Sequence, residues 1–296
     1  MIRITFLGTS GSVPTKDKSL PGLALEYNGE TFIFDCGEGT QRQMMKYKLN
    51  MSKIKAIFLT HIHGDHSIGV AGLVRTMSLM KRTTPLQIFV PKGDEKQIAP
   101  LMNFDRATLN YDIEIKPVQA GTVYKGKGFS IEAFRLIHPV STFGFAFKEQ
   151  DKVHFMKEKA RAAGLKGTMF SEMLKKGKLK VKNRVINLKE ITTLERGKKV
   201  VYATDTRPSK NTINAAKDAD LLIHEATYAT TEQKLAKERS HSTATEAAQI
   251  AKSAKPKRLL LLHISTRYRD GSIIVNEARK TFKNTEAAKD GMQVNV

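Results

Sequence analysis

Four side chains that commonly bind metal ions lie within six residues of this sequence. They are His61, His63, Asp65 and His66, in an H-x-H-x-D-H string, although the chain has only 8 histidines in 296 residues. His61 and His63, two residues apart on extended backbone, point to the same side and can bind one ion. Asp65 and His66 follow a glycine turn and can reach a second ion. Imidazole and carboxylate groups suit Zn²⁺, and also Mn²⁺ or Fe, so the spacing predicts a metal centre.

Two metal ions need about seven or eight donors, and this string supplies only four of them. His138, Asp205 and His263 each follow an apolar segment that is typical of a β-strand. Open α/β sheets place their functional sites at the carboxyl ends of strands, so these three residues are candidates for the remaining donors. The alternative for each one is a structural role, in which the side chain bonds to a neighbouring carbonyl.

Two further residues could assist the cleavage of an ester bond. An acid that protonates the leaving oxygen accelerates such a reaction. Glu225 ends a predicted strand and His241 lies at the start of a predicted helix, and together they could provide that acid. Their spacing in the chain is compatible with this role but does not by itself separate it from a structural one.

The net charge predicts a polyanionic partner. Lys and Arg number 50 against 29 Asp and Glu, giving a formal charge of +21. Nucleic acid is the commonest partner of such a protein, and the alternative is a generally lysine-rich proteome. The segment from Lys152 to Arg184 contains eleven Lys or Arg and two Glu. An even spread of the charge would give this segment about +2 rather than +9, so the concentration favours a dedicated basic surface.

The composition also indicates the cellular compartment in which the protein is expected. No apolar run approaches ~18–20 residues, so we expect no membrane span. The first residues alternate as a strand does, and we expect no signal peptide. Cys36 is the only cysteine, which excludes an internal disulfide and fits a reducing cytoplasm. These features predict a cytoplasmic protein without a membrane partner.

The hydrophobic pattern predicts an α/β protein in layers, because strands and helices mix in both halves of the chain. The predicted strands are Arg3–Leu7, Gly22–Tyr27, Thr31–Asp35, Ala56–Thr60, Leu86–Val90, Tyr111–Lys116, Phe129–Leu136, Phe143–Lys148, Lys199–Ala203, Leu221–His224 and Arg258–His263. The predicted helices are Ser67–Met80, a stretch near Asp94–Asn103, Thr212–Ala216, Thr243–Ala254 and Ser272–Phe282. Between them, residues 149–197 are basic and poor in sustained apolar periodicity, which indicates an inserted segment.

The sequence resembles the ribonuclease Z family of tRNA 3′-processing endonucleases, which have the metallo-β-lactamase fold, over essentially its whole length. The H-x-H-x-D-H string marks only the superfamily, whereas the combination of later motifs is far more specific. The segments that carry the resemblance are Phe6–Ser10 (FLGTS), Phe34–Gln41 (FDCGEGTQ), Thr60–His66, His138, Asp205–Pro208 (DTRP), His224–Thr227 (HEAT), His241–Thr243 (HST) and His263–Tyr268 (HISTRY).

The resemblance implies a fold and a set of ligands. The fold is a four-layer αβ/βα sandwich, here a single domain over residues 1–296 with an inserted basic arm at 152–184. The family is usually a homodimer in which the arm of one subunit helps to hold tRNA for the other. The implied ligands are His61, His63 and His138 for the first metal, Asp65, His66 and His263 for the second, and Asp205 as a bridge between them.

The resemblance also implies an activity, namely cleavage of precursor tRNA after the discriminator nucleotide by two zinc ions, leaving a 3′-hydroxyl. Asp65 would orient the attacking water or accept its proton, and Asp35 would fix a ligand histidine through its other ring nitrogen. Glu225 and His241 would serve the departing 3′-oxygen. The candidates for binding substrate phosphates are Lys16, Lys18, Arg207 and Arg267.

Two departures from the family pattern are visible. The arm lacks the usual Gly-Pro signature and has no proline between Pro139 and Pro208, and the early loop has Lys18 where arginine is frequent. Lysine keeps the charge but loses the bidentate fork of arginine. The two alternative functions are those of a hydrolase of a small phosphodiester or thioester and of a non-catalytic RNA-binding relative. The basic arm argues against the first, and the complete ligand set argues against the second.

Overall fold

The computed structural model describes residues 1–103 and 108–296. The chain divides into two compact units, a larger one formed by Met1–Lys148 with Lys199–Val296 and a smaller one formed by Glu149–Lys198. Among the helices that the structure describes, none is long and apolar enough to cross a lipid bilayer.

The secondary structure alternates strands and short helices. The strands are β1 (Arg3–Gly8), β2 (Gly22–Tyr27), β3 (Glu30–Cys36), β4 (Ile54–Phe58), β5 (Leu86–Pro91), β6 (Ile113–Val118), β7 (Gly121–Gly126), β8 (Phe129–Arg135), β9 (Phe143–Glu149), β10 (Lys152–Phe155), β11 (Lys178–Val181), β12 (Arg184–Asn187), β13 (Thr192–Glu195), β14 (Lys199–Ala203), β15 (Leu221–Glu225), β16 (Leu259–Leu262), β17 (Thr285–Ala287) and β18 (Gln293–Asn295). The helices are α1 (Thr40–Lys46), α2 (Gly64–Ser67), α3 (Gly69–Leu79), α4 (Glu95–Ile98), α5 (Pro100–Asn103), α6 (Lys157–Ala162), α7 (Met169–Lys176), α8 (Leu188–Ile191), α9 (Lys210–Ala216), α10 (Gln233–Glu238), α11 (Ala244–Ala254) and α12 (Ser272–Arg279).

Two seven-stranded mixed sheets form the larger unit. Their strand orders are β18-β1-β2-β3-β4-β5-β6 and β17-β16-β15-β14-β9-β8-β7. In the first sheet β3 pairs in parallel with β4, and in the second β14, β15 and β16 are parallel neighbours. The carboxyl ends of parallel neighbours meet at one edge of a sheet, so the loops that follow these strands are brought together.

Apolar side chains fill three layers of the larger unit. Between the two sheets lie nine buried or nearly buried phenylalanines, five from the first sheet and four from the second: Phe6, Phe32, Phe34, Phe58, Phe89, Phe129, Phe143, Phe145 and Phe147. The other face of the first sheet packs against α1 and α3, and the other face of the second packs against α9, α11 and α12. This order of layers confirms the predicted αβ/βα sandwich.

The smaller unit has a core of its own. β10 pairs with β13, β11 and β12 form an antiparallel hairpin, and the helices α6, α7 and α8 lie in the connections. The buried apolar residues of this unit are Ala160, Leu165, Met173, Val181, Ile186 and Ile191. Each element contributes at most one fully buried apolar side chain, which explains why the sequence shows no sustained periodicity here. The predicted arm, 152–184, falls inside this unit.

Several predicted elements differ in detail. The predicted helix at 67–80 is divided at Ile68 into α2 and α3, which lets Gly69 approach the carbonyl of Gly37; a Cβ on Gly69 would lie 1.8 Å from that oxygen. The helix α1 was not predicted, because it follows Gly39 at φ 80° and no side chain caps it. The edge strand β7 was also missed, since four of its six residues are Gly, Thr or Lys.

Candidate metal centre and catalytic site

The first group of potential ligands contains His61 and His63, which lie in the turn after β4. It also contains His138 and Asp205, which follow β8 and β14. His61 is buried and its Nε2 lies 2.9 Å from Nδ1 of His63. The rings of His63 and His138 are 5.2 Å apart between centroids. One ligand atom from each of these histidines and one from Asp205 all lie within 4.8 Å of one another. The structure therefore brings together four residues that are up to 144 positions apart in the sequence.

The second group lies beside the first. It contains Asp65 and His66 from α2 together with His263, which follows β16, and their ligand atoms also lie within 4.8 Å of one another. Oδ2 of Asp65 is 3.5 Å from Nε2 of His66 and 3.7 Å from Nε2 of His263. Both histidines are fully buried.

Asp205 faces both groups with different oxygens. Its Oδ2 lies 3.7 Å from Nε2 of His61, in the first group. Its Oδ1 lies 3.4 Å from Nε2 of His66 and 3.2 Å from Nε2 of His263, in the second. This orientation suits a carboxylate that contacts two cations at once.

The chemistry of these residues fits a divalent metal ion. Nε2 of His66 and Nε2 of His263 are buried, and within the described residues neither forms a hydrogen bond. Such an unpartnered buried nitrogen is costly unless it ligates an ion. Burial lowers the pKa of His61 well below its usual value, so its imidazole is neutral and has a lone pair to offer. The His/Asp cluster can thus bind a divalent metal.

Two side chains and one backbone carbonyl hold the rings of the potential ligands by their second nitrogen. Asp35 is fully buried, and its Oδ2 lies 2.9 Å from Nδ1 of His66. The hydroxyl of Thr227 is 3.0 Å from Nδ1 of His263, and the carbonyl of Ser240 is 3.2 Å from Nδ1 of His138. Such contacts fix both the tautomer and the orientation of a metal-binding imidazole.

His241 and Glu225 form a pair at the side of this cluster. Nδ1 of His241 lies 2.9 Å from Oε1 of Glu225, and the ring of His241 stacks on that of His263 at 5.3 Å. Burial alone would lower the pKa of His241, but the charge and hydrogen bond of Glu225 outweigh it and raise the pKa to about 9. The carboxylate of Glu225 therefore favours the protonated form of His241.

Glu225 itself does not reach the surface of the site. It is fully buried, and its carboxylate accepts hydrogen bonds from the backbone nitrogens of Thr206 and Ser242 as well as from the hydroxyl of Thr227. These donors saturate both oxygens. Glu225 therefore contacts the ring of His241 and is not itself exposed to the cavity.

A cavity of about 570 Å³ opens onto the cluster. Its lining residues include predicted site residues and others from the chain around α10: Ser12, His63, Asp65, His138, Pro139, Asp205, Tyr228, Leu235, Glu238, Arg239, His241 and Arg267. Ser12 and Pro139 were not predicted as site residues, and neither were four residues of the segment around α10, namely Tyr228, Leu235, Glu238 and Arg239. The signal that could have found these four is their position between Glu225 and His241, since both ends of that segment enter the site.

The four predicted phosphate-binding cations have different surroundings. Lys16 is exposed and Lys18 is half-buried, in a loop whose Ser12 backbone nitrogen donates to Oδ2 of Asp65 at 3.1 Å. Arg267 lines the cavity, pairs with Glu232, and lies 5.2 Å from the ring centroid of Tyr228.

Arg207 has a different environment from the other three cations. Its guanidinium forms a bidentate ion pair with Glu246, with Nη1 2.8 Å from Oε2, and the same Nη1 donates to the carbonyl of His241. The carboxylate of Glu246 therefore occupies the Nη1–Nη2 fork of this arginine. The sequence showed the charge of Arg207 but not its partner, and the predicted substrate-binding role of this residue stays a prediction.

The chain is similar to known proteins along its whole length. The model of the β-lactamase superfamily domain matches residues 30–264. Ribonuclease Z of Methanothermobacter thermautotrophicus is 40% identical over 298 residues, covering 100% of this chain and 97% of the relative. Ribonuclease Z of Archaeoglobus fulgidus is 40% identical over 302 residues, covering 100% and 98%. Among solved structures, the short form of human tRNase Z superposes with a TM-score of 0.72 at 28% identity and 99% coverage of both chains. The chain belongs to the ribonuclease Z family of the β-lactamase superfamily.

Proposed function

We propose that this protein is an endoribonuclease that removes the 3′ trailer of precursor tRNA and leaves a 3′-hydroxyl on the tRNA. The observation that carries the proposal is the similarity along the whole chain to proteins named ribonuclease Z, at 40% identity. The two adjoining His/Asp groups and their shared Asp205 support a hydrolytic mechanism assisted by metal ions.

We assign two zinc ions to the site. His61, His63 and His138 would hold one ion, Asp65, His66 and His263 the other, and Asp205 would contact both through its two oxygens. Histidine and carboxylate ligands suit zinc, although Mn²⁺ or Fe accept the same set. When bound, the two ions would neutralise phosphate charge and acidify a water nucleophile.

The protein side chains would manage the protons of the reaction. Asp65 lines the cavity and is the carboxylate that we assign to orienting the attacking water and accepting its proton. His241, which lines the same cavity, would donate its Nε2 proton to the departing 3′-oxygen, since Glu225 occupies its Nδ1. A ribose 3′-oxygen leaves poorly as an alkoxide, and general acid catalysis of this kind contributes ~10²–10⁴-fold.

Basic residues outside the metal cluster would bind the RNA. Arg267 lines the cavity, and Lys16 and Lys18 lie on the loop that contacts Asp65, so these three could bind phosphates near the cut. The smaller unit, with eleven Lys or Arg between Lys152 and Arg184, would serve as the tRNA-binding arm. We also propose that the protein is a cytoplasmic homodimer, in keeping with its family and its single cysteine.

The decisive experiment maps the products. Purified protein is incubated with a precursor tRNA that carries a 3′ trailer, and the cut is mapped at nucleotide resolution with and without a chelator. We expect one cut after the discriminator nucleotide, a 3′-hydroxyl on the tRNA, and close to two zinc ions per chain by elemental analysis. If the protein leaves precursor tRNA uncut but rapidly hydrolyses small phosphodiesters, the proposed substrate is wrong. If cleavage persists after all metal has been removed, the proposed metal-assisted mechanism is wrong.

A further inference from the structure

We infer that Arg207, through its ion pair with Glu246, is the residue that positions His241 for catalysis. The inference rests on the role proposed above for His241 as the proton donor. It gives a function to an arginine whose Nη1–Nη2 fork is occupied by a carboxylate, and it concerns the backbone of His241 rather than its ring.

The contacts of Arg207 fix the His241 peptide. Its Nη1 donates to the carbonyl oxygen of His241, and the backbone nitrogen of His241 donates to the carbonyl of Ala236 at 2.8 Å. The ring is held separately, by Glu225 at Nδ1. With both backbone polar groups and one ring nitrogen engaged, Nε2 of His241 has a defined position relative to the cavity.

Glu246 links this arrangement to a rigid helix. It is the third residue of α11 and completes a capping box, in which it accepts a hydrogen bond from the backbone nitrogen of Thr243 at 2.9 Å. The helix buries seven of its eleven residues: Ala244, Glu246, Ala247, Ala248, Ile250, Ala251 and Ala254. Arg207 thus joins the His241 carbonyl to an element that cannot shift without disturbing the core.

The turn formed by residues 205–207 also connects His241 to the His/Asp cluster. Arg207 is two residues from Asp205, and between them Thr206 donates its backbone nitrogen to Oε1 of Glu225 at 2.6 Å. The hydroxyl of Ser242, next to His241, donates to the carbonyl of Thr206. The 205–207 turn therefore carries the shared carboxylate at one end and the anchor of the proton donor at the other. This spacing would set the distance between the scissile phosphate and Nε2 of His241.

A phosphate-binding role fits these contacts less well. The side chain of Arg207 is 20% exposed, whereas that of Arg267 is 43% exposed. Arg207 is not among the described residues that line the cavity. To bind a substrate phosphate with its Nη1–Nη2 fork, Arg207 would have to leave a bidentate carboxylate. Charge-assisted bidentate bonds are among the strongest of their kind, and here the exchange gains only a similar pair.

The test is a mutant cycle on two substrates. Arg207→Lys keeps the positive charge but loses the guanidinium fork. Glu246→Gln keeps the shape of the carboxylate that binds Arg207 but removes its charge. Each substitution is made alone and together with His241→Ala. Lys210→Met, an exposed lysine three residues along the chain, is the matched control. We measure kcat and KM for a precursor tRNA and for an aryl phosphodiester, whose phenolate leaves without a proton, and determine metal content and thermal unfolding for every variant.

We expect Arg207→Lys and Glu246→Gln each to lower kcat on tRNA about 10–100-fold, since small misplacements of catalytic groups have effects of this size. KM and metal content should stay within about twofold, Lys210→Met should behave as wild type, and the aryl substrate should lose much less. In the His241→Ala background, neither substitution should reduce kcat further, because residues that act as one unit are non-additive.

Three results would overturn the inference. A rise in KM with a weaker salt dependence and unchanged kcat would show that Arg207 binds phosphate. An undiminished loss in the His241→Ala background would show that Arg207 acts independently of His241. If His241→Ala alone has wild-type kcat on tRNA, the proposed proton donor fails as well, and that single variant separates this failure from the other two.

Discussion

Replacement of Asp35 by asparagine tests how a buried carboxylate prepares His66 for metal binding. Oδ1 of Asp35 lies 2.8 Å from the backbone nitrogen of Thr60 and 2.9 Å from its hydroxyl. Oδ2 lies 2.9 Å from the Tyr202 hydroxyl and 2.9 Å from Nδ1 of His66. The Thr60 backbone nitrogen can only donate, so the amide oxygen of the variant must face Thr60. Its NH₂ group must then face His66.

That orientation opposes the tautomer which metal binding requires. His66 can ligate through Nε2 only if its remaining proton lies on Nδ1, and in the variant this N–H would meet another N–H. Loss of an outer-shell partner typically weakens metal affinity 10–100-fold. This range corresponds to about 1.4–2.7 kcal/mol, similar to the value of one charge-assisted hydrogen bond. We expect a loss of this size for one ion, with the ion at His61 and His63 retained.

The assay is a chelator titration followed by elemental analysis, which resolves the two ions by their affinity. Tyr202→Phe is the matched control, because it removes one donor to Asp35 but leaves the carboxylate and the His66 tautomer intact. It should lower the free energy of unfolding by about 1.5–3 kcal/mol and change metal affinity only a few-fold. Wild-type affinity in Asp35→Asn would refute the reasoning. An equal loss in Tyr202→Phe would indicate general destabilisation instead.

Other consequences of the structure can be checked separately. Asp205→Ala should lose metal and nearly all cleavage while it stays folded, and two ions per chain by elemental analysis would contradict the shared position of this carboxylate. Replacement of residues 150–197 by a short Gly-Ser linker should raise KM for precursor tRNA sharply but spare an aryl phosphodiester, whereas equal losses would make the smaller unit structural. Such a linker is feasible because the nitrogen of Glu149 donates to the carbonyl of Lys198 at 2.9 Å. Burial alone would raise the pKa of Glu246, but hydrogen bonds from Arg207 and Thr243 hold it below 4.5. The ionised Glu246 side chain therefore stabilises the fold above that pH, and this stabilisation is lost as the pH falls through the folded-state pKa. The difference in urea stability between wild type and Glu246→Gln should consequently narrow in acid. An equal difference at neutral and acid pH would refute this prediction.

The potential metal ligands could be predicted from the sequence because each one is local to a strong signal. Four lie in one string, and His138, Asp205 and His263 follow apolar strands whose ends meet at the same edge. The sequence could not show which oxygen of Asp205 faces which histidine. That depends on the backbone of residues after β14, which no pattern of residue types specifies.

Interactions over long distances in the chain account for what was missed. Arg207 and Glu246 are 39 residues apart, and both belong to polar segments where a solvated charge is the ordinary expectation. The sequence alone made Arg207 a candidate for phosphate binding, whereas the folded chain pairs it with a carboxylate. The core of the smaller unit was missed for a similar reason, because its apolar residues are too few per element to form a pattern.

Three site residues share an unusual backbone conformation. Asp35, Asp205 and His263 have φ values of 57°, 50° and 56°, in the left-handed region that non-glycine residues seldom adopt. Each such residue costs about 1–3 kcal/mol unless its surroundings enforce it. All three are almost completely buried at strand ends, where hydrogen bonds and packing restrict the chain. The reversed backbone aims each side chain inward, so the stability of the two sheets is used to hold the carboxylates and imidazoles of the metal cluster close together.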